Sequence, residues 1–283
     1  MFIDKKTPVI IQGITGHQGS FHTKQMLKYG TNIVAGVTPG KKGEFIEEIP
    51  VYNTMKEALQ KHKAQWSVIF VPAPHVKEAA CEALHAGLNL CIITEHVPLH
   101  DTIAILHLAQ QKKKRVFGPN CPGFVVPGQA KLGIMPNHIF SKGNIAVVAR
   151  SGTLTYEIVY ALTQHHLGQS IVLGIGGDSV IGTHFLDVLP LLEKDKETKA
   201  IVLIGEIGGD LEEKAAAYIQ KNMKKPVVAY LAGRTAPPGK TMGHAGAVIS
   251  GKTGTAQTKL AAFEKAGIPV ARLPSEIVKF FYP

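Results

Sequence analysis

Pro8-Val-Ile-Ile-Gln12, followed by Gly13-Ile-Thr-Gly16-His-Gln-Gly19-Ser20, is the stretch on which the fold turns. A short apolar run, then three glycines spaced GxxGxxG, then a helical pattern from Ser20 to Tyr29 read as strand, tight turn and helix. The strand shows no polar alternation, so both of its faces are buried, as in a parallel sheet covered by helices. Outward from it, strands are predicted at 32–37, 67–70, 88–93 and 115–117, with helices at 54–61, 76–86 and 102–112. The Gly/Pro-rich segment Gly118-Pro-Asn-Cys-Pro-Gly123 breaks the pattern, and the sequence up to Lys142 reads as irregular. Alternation then resumes, with strands at 145–149, 171–173, 200–204 and 227–231 and helices at 154–165, 183–192, 211–222 and 255–266. The expected fold class is α/β: a Rossmann-like domain over residues 1–122 and a flavodoxin-like, doubly wound domain over residues 123–283.

The chain has 283 residues, of which 45% are hydrophobic, enough to bury two cores of ordinary size. Three cysteines, Cys81, Cys91 and Cys121, form neither a disulfide framework nor a CxxC pair, which fits a reducing compartment. No apolar stretch reads as a signal peptide or a membrane span, so a cytoplasmic location is expected. The formal net charge of +10 points to anionic ligands. Nucleic acid is disfavoured, because the lysines are scattered and the longest basic run, Lys112 to Arg115, sits at a predicted helix end without interleaved aromatics.

The Gly13–Gly19 loop has the setting in which backbone N–H groups at a helix N-terminus receive a pyrophosphate. An NAD site wants an acidic residue at the end of the second strand; this chain has Thr38-Pro-Gly-Lys41-Lys42 there. A lysine at that place favours an additional phosphate, the 3'-phosphate of coenzyme A or the 2'-phosphate of NADP, while Lys42 alone reads as a solvated turn residue. Two more loops, Val71-Pro-Ala-Pro74 and Thr94-Glu-His-Val-Pro98, leave strand ends of the same sheet. His17 and His96 lack a carboxylate or cysteine cluster around them, so no metal site is expected, and Cys121 reads as a packing residue.

The second half carries Met242-Gly-His244-Ala-Gly-Ala247, a histidine among small neighbours that leave its imidazole open to a second reactant. Gly205-Glu206-Ile-Gly-Gly209 leaves a buried strand and offers a carboxylate to fix the ring's tautomer. Arg150-Ser151-Gly152-Thr153 opens a helix, with Ser151 or Thr153 as N-cap, and a helix start attracts phosphate. Together these three describe a phosphohistidine site.

The stretches GITGHQGSFH, GVTPGKKG, VPAPHV, GPNCPG, ARSGTLTYE, GIGGD, IGEIGGDLEEKAAAYI and GHAGAV, in this order across both domains, resemble the α subunits of succinyl-CoA synthetase (succinate–CoA ligase). The resemblance implies an acid–thiol ligase of the tricarboxylic acid cycle, converting succinate, CoA and NTP to succinyl-CoA, NDP and phosphate through a phosphohistidine. It implies that His244 is the phosphorylated residue, oriented by Glu206. Thr15, Gly16, His17, Gln18, Lys41, Ile93, Thr94 and Glu95 would meet CoA, Ser151, Gly152 and Thr153 the phosphate, and Tyr156 the substrate carboxylate. Nucleotide, ATP or GTP with Mg2+, would be bound by a β subunit of the nucleotide-grasp type, since no GxxxxGK[ST] occurs here. The chain departs from the family pattern at His96, at Ser179-Val180 and at Gly251-Lys-Thr253. A malate–CoA ligase is therefore the alternative enzyme, a CoA- or dinucleotide-sensing protein the non-catalytic one, and an NADP oxidoreductase a third reading.

Overall fold

The computed structural model describes residues 3–237, 242–249 and 254–282. The Gly251–Thr253 departure lies outside the described residues. Two compact units are present, residues 1–137 with 180–182 and residues 138–179 with 183–283. The sequence expectation divides the chain at 122/123, and the differences are the segments 123–137 and 180–182, which cluster with the first unit.

The first unit contains β1 (Val9–Gln12), α1 (His17–Tyr29), β2 (Ile33–Val37), β3 (Phe45–Ile46), β4 (Ile49–Tyr52), α2 (Met55–Lys61) and β5 (Trp66–Ile69). It continues with α3 (Val76–His85), β6 (Asn89–Ile92), α4 (Leu99–Gln111), β7 (Val116–Phe117), β8 (Gly123–Val126) and β9 (Ala130–Gly133). Its main sheet has the order β3-β4-β2-β1-β5-β6-β7, parallel except for the β3–β4 pair. All four residues of β1 are buried, as a strand covered on both faces requires. The chain runs from β1 to β2 on one side and from β5 onward on the other, so the strand order reverses between β1 and β5, the place where open α/β sheets bind ligands.

Residues 123–142, expected to be irregular, instead begin with an antiparallel hairpin, β8–β9. Its turn is Val126-Pro127-Gly128-Gln129, closed by Gln129 N–H donating to the Val126 carbonyl at 2.9 Å, with Gly128 at φ 75°. That is the geometry Pro-Gly favours at the centre of a type II turn. The hairpin is fixed in its unit by an aromatic cluster, Phe124 lying 5.1 Å from Trp66 and 4.7 Å from Phe117 between ring centroids. Thr31 Oγ1 also donates to the Lys131 carbonyl at 2.7 Å.

The second unit contains β10 (Lys142–Ala149), α5 (Gly152–Gln164), β11 (Gln169–Gly174), α6 (Phe185–Lys194), β12 (Ala200–Glu206), α7 (Leu211–Asn222), β13 (Val227–Ala232), α8 (Ala256–Lys265) and β14 (Val270–Ala271). Its strands β14-β13-β12-β10-β11 are neighbours in that order and all pair in parallel. Residues 145–149 of β10 and every residue of β12 are buried, forming the apolar centre of the unit. The order reverses between β10 and β12, and the register that pairs Ala149 with Ile204 brings the ends of both strands to one sheet edge. Arg150 follows β10 directly, and Glu206 is the last residue of β12.

Candidate active site

In the first unit, Gly13, Thr15, Gly16, His17, Gln18 and Gly19 form one wall of a cleft of about 860 Å³, facing Val37, Thr38 and Asn53 and the Phe70-Val71-Pro72 loop. The helix start explains the glycines. A Cβ on Gly19 would stand 2.1 Å from the Gly13 carbonyl oxygen, so only glycine lets α1 begin this close to β1. The first-turn amides of α1 have no intrahelical acceptor, and Gly16, the residue before the helix, supplies no side-chain cap. A pyrophosphate fits such a start, where the helix dipole favours an anion.

Four of the residues expected at CoA, Thr15, Gly16, His17 and Gln18, therefore line the cleft, and four do not. Lys41 is exposed and its Nζ pairs with Glu44 at 2.9 Å, while Lys42 pairs with Glu57 at 3.2 Å. Thr94 sits behind the wall, its Oγ1 donating to the Val71 carbonyl at 2.7 Å, and Ile93 N–H donates to the Ile69 carbonyl. Glu95 Oε2 lies 3.9 Å from His96 Nε2. His96, standing where the family pattern has glycine, adopts φ 61°, a left-handed conformation that explains the glycine preference.

In the second unit, His244 Nδ1–H donates to Glu206 Oε2 at 2.8 Å, with Oε1 at 3.1 Å. Only a protonated Nδ1 can donate to a carboxylate, so in the neutral ring Nε2 carries the free lone pair. The His244 side chain is 25% exposed and that of Glu206 is 6% exposed: the orienting acid is buried and the ring reaches solvent. Hydrogen bonding to Glu206 raises the His244 pKa above its usual value; burial and the Arg150 charge oppose the rise, and Asp178 adds to it. The ring packs closely against the loop after β11. A Cβ on Gly177 would fall 2.4 Å from His244 Cγ, and Gly246 N–H donates to the Gly177 carbonyl at 3.0 Å.

Ser151 caps α5 as expected, its Oγ accepting from Leu154 N–H at 3.5 Å, so Gly152 and Thr153 form the first turn and Tyr156 the second. Sequence reasoning left three residues without a role. Arg150, whose side chain is 3% exposed, places Nε 3.4 Å from Glu206 Oε1 and donates from Nη1 to Glu212 Oε1 at 3.3 Å. Glu212 in turn accepts from Lys259 Nζ at 2.5 Å, and both side chains are fully buried. The available signal was a charged residue directly after an all-apolar strand, a position that has to be paired to stay folded.

One unit holds a cleft at a helix start and the other a histidine bonded to a buried acid, an arrangement compatible with a CoA-dependent ligase. Residues 4–96 match the model of the CoA binding domain and residues 148–268 that of the CoA-ligase domain. The succinate–CoA ligase (ADP-forming) α subunit of Staphylococcus epidermidis is 54% identical over 278 residues, 98% of this chain and 92% of that protein. The α subunit 2 of the same enzyme from Archaeoglobus fulgidus is also 54% identical, over 99% of this chain and 97% of its own length. The chain belongs to the succinate–CoA ligase α-subunit family. Among solved structures, ATP citrate lyase of Methanothrix soehngenii, in complex with citrate and coenzyme A, superimposes on all of this chain with a TM-score of 0.89 and 25% identity. This chain spans 50% of that one. A dinucleotide-forming acetyl-coenzyme A synthetase of Candidatus Korarchaeum cryptofilum shares the fold, with a TM-score of 0.74 and 21% identity. No helix among the described residues is long and apolar enough to cross a membrane.

Proposed function

We propose that this chain, with a β subunit of the nucleotide-grasp type, joins succinate to coenzyme A in the cytoplasm with ATP cleaved to ADP and phosphate, and that His244 carries the phosphoryl group between nucleotide and acid. The observation that carries this reading is the 2.8 Å bond from His244 Nδ1 to a buried Glu206, which leaves Nε2 as the nucleophile on a partly exposed ring.

The chain's own groups divide the work as follows. His244 Nε2 attacks the terminal phosphorus, and the N–P bond forms as the bond to the departing ADP oxygen breaks. The proton stays on Nδ1, hydrogen-bonded to the ionised Glu206, so the positive charge of the phosphorylated ring is compensated by the carboxylate and no base has to take a proton away. An oxygen of the succinate carboxylate then takes the phosphoryl group, releasing Nε2 with its lone pair restored. Attack of the CoA sulfur on the acyl carbon forms the thioester as the acyl C–O bond to phosphate breaks, and the departing phosphate takes up the thiol proton. The start of α5 at Ser151, Gly152 and Thr153 offers amides to the phosphoryl oxygens, with Tyr156 beside the acid. In the first unit, Thr15, Gly16, His17 and Gln18 hold the CoA pyrophosphate at the start of α1. Lys41, with Ile93, Thr94 and Glu95, flanks the cofactor once Lys41 leaves Glu44, an exposed pair that costs little to open.

The test is to incubate the co-purified complex with Mg-ATP labelled at the γ-phosphate. One acid-labile, base-stable label per α chain is expected, lost in His244→Asn and discharged by succinate but not by malate. Discharge by malate alone identifies a malate–CoA ligase; a complex that binds nucleotide and CoA and takes up no label refutes the phosphohistidine.

A further inference from the structure

Four charged side chains lie in a buried line behind His244: Glu206, Arg150, Glu212 and Lys259, with side-chain exposures of 6%, 3%, 0% and 0%. They come from the end of β12, the residue after β10, the first turn of α7 and the interior of α8. Two are cationic and two anionic, so the line is neutral as long as every member is paired. Arg150 donates from Nη1 to the Gly208 carbonyl at 3.2 Å and to Glu212 Oε1 at 3.3 Å. The same Glu212 oxygen accepts the backbone N–H of Glu206 at 3.1 Å. Its other oxygen is held by Lys259 Nζ at 2.5 Å, and Lys259 also reaches Glu213 Oε2 at 2.8 Å and the Gly209 carbonyl at 3.0 Å. Burial of unpaired charge is prohibitive, so this arrangement fixes the position of Arg150 against Glu206.

Glu206 is thus shared. His244 Nδ1 takes both carboxylate oxygens, and Arg150 Nε approaches Oε1 at 3.4 Å without the alignment of a hydrogen bond. We propose that Arg150, held by Glu212 and Lys259, is a positioning residue: it aims the Glu206 carboxylate at His244 Nδ1 and draws off part of its charge, keeping the ring neutral and able to accept phosphorus at Nε2. This rests on His244 being the phosphorylated group. The need is physical. A buried carboxylate paired only with an imidazole favours the imidazolium, which has no lone pair to attack with. A cation on the far side of that carboxylate opposes this, and the charge of Arg150 does act to lower the His244 pKa against the pull of Glu206. Asp178, in the loop after β11, also acts on the ring, and His184 at the start of α6 feels Arg150 together with Asp187 and Lys214 of α7.

The assay is the initial rate of acid-labile labelling of the complete αβ complex by γ-labelled Mg-ATP, followed against pH. Below the His244 pKa the ring is protonated, so the rate has an acid limb. Arg150→Met removes the opposing cation, and its acid limb is expected to move to higher pH, with the plateau rate down ~10–100-fold, as for other residues that orient a reactive group from behind. Glu212→Gln keeps the shape and acceptor of the side chain but frees the Arg150 charge to act on Glu206. Its limb is expected to move the opposite way, to lower pH, and this isosteric change tests the idea even if Arg150→Met does not fold. Acid limbs that stay at the wild-type position in the variants, with only a proportional loss of rate at every pH, would make Arg150 a structural residue and overturn the proposal. A wild-type complex that takes up no label would instead overturn the phosphohistidine reading itself.

Discussion

Gly177→Ala should silence His244 without dismantling the fold. The backbone of Gly177 has an ordinary φ that any residue adopts; what the position excludes is a side chain, because a Cβ there would lie 2.4 Å from Cγ and 2.6 Å from Cδ2 and Nδ1 of His244. Carbon atoms rest ~3.5–4.0 Å apart, so the ring has to retreat by about 1 Å or more. The Nδ1 to Glu206 Oε2 distance is 2.8 Å, and a retreat of that size carries it beyond the limit of a hydrogen bond. Misplacing a reacting group by about 1 Å costs on the order of 100-fold in rate, the expected loss in labelling and in succinyl-CoA formation. Stability should fall by no more than ~1–3 kcal/mol, the usual cost of overpacking, since a ring 25% exposed can swing outward. The assay is single-turnover labelling of the purified complex beside a thermal melt. Wild-type labelling by a folded Gly177→Ala complex would refute the packing argument and, with it, the need for a fixed ring.

Two further substitutions probe the first unit. His22 stacks on Phe70 with centroids 5.8 Å apart, and burial, with Lys131 adding, pushes its pKa down from 6.5 to about 4. Its folded value lies below its unfolded one, so its contribution to stability is present above 6.5 and is lost as pH falls toward about 4. His22→Phe removes that loss, and the melting-temperature difference between variant and wild type should grow in favour of the variant as the pH of the melt is lowered; a difference that does not change with pH would refute it. His96, with 88% side-chain exposure and φ 61°, bears a left-handed strain of ~1–2 kcal/mol that glycine would relieve. After the greater chain entropy of glycine, His96→Gly should stabilise by about 0.5–1 kcal/mol, seen as a raised denaturation midpoint at unchanged slope.

Much of the fold was legible because each element declares itself locally. Residues 211–222 were predicted as a helix and form one, and of the two caps expected for α5, Ser151 or Thr153, it is Ser151 that caps it. The predicted start of α4 at 102 fell three residues late, since Pro98 stands before the helix and Leu99 begins it. The hairpin β8–β9 was missed although its Pro127-Gly128 turn was in plain view, because two four-residue strands are too short to show a period. In the first unit, Thr15 to Gln18 were legible as cleft residues from their place between strand and helix, whereas the salt bridge that occupies Lys41 has no signature in its motif.

His244 and Glu206 could be named from sequence only jointly, a histidine among small neighbours together with an acid leaving a buried strand and a helix start at Ser151, and their roles came from the family resemblance. That the two touch, and that Arg150, Glu212 and Lys259 stand behind them, was decided only by the order of β10 and β12 in the sheet and the packing of α7 and α8 upon it. The reason is range. Propensity, capping and turn chemistry act within a few residues, whereas a buried charge is paired with whatever the strand order brings to it, here across 56 residues from Arg150 to Glu206.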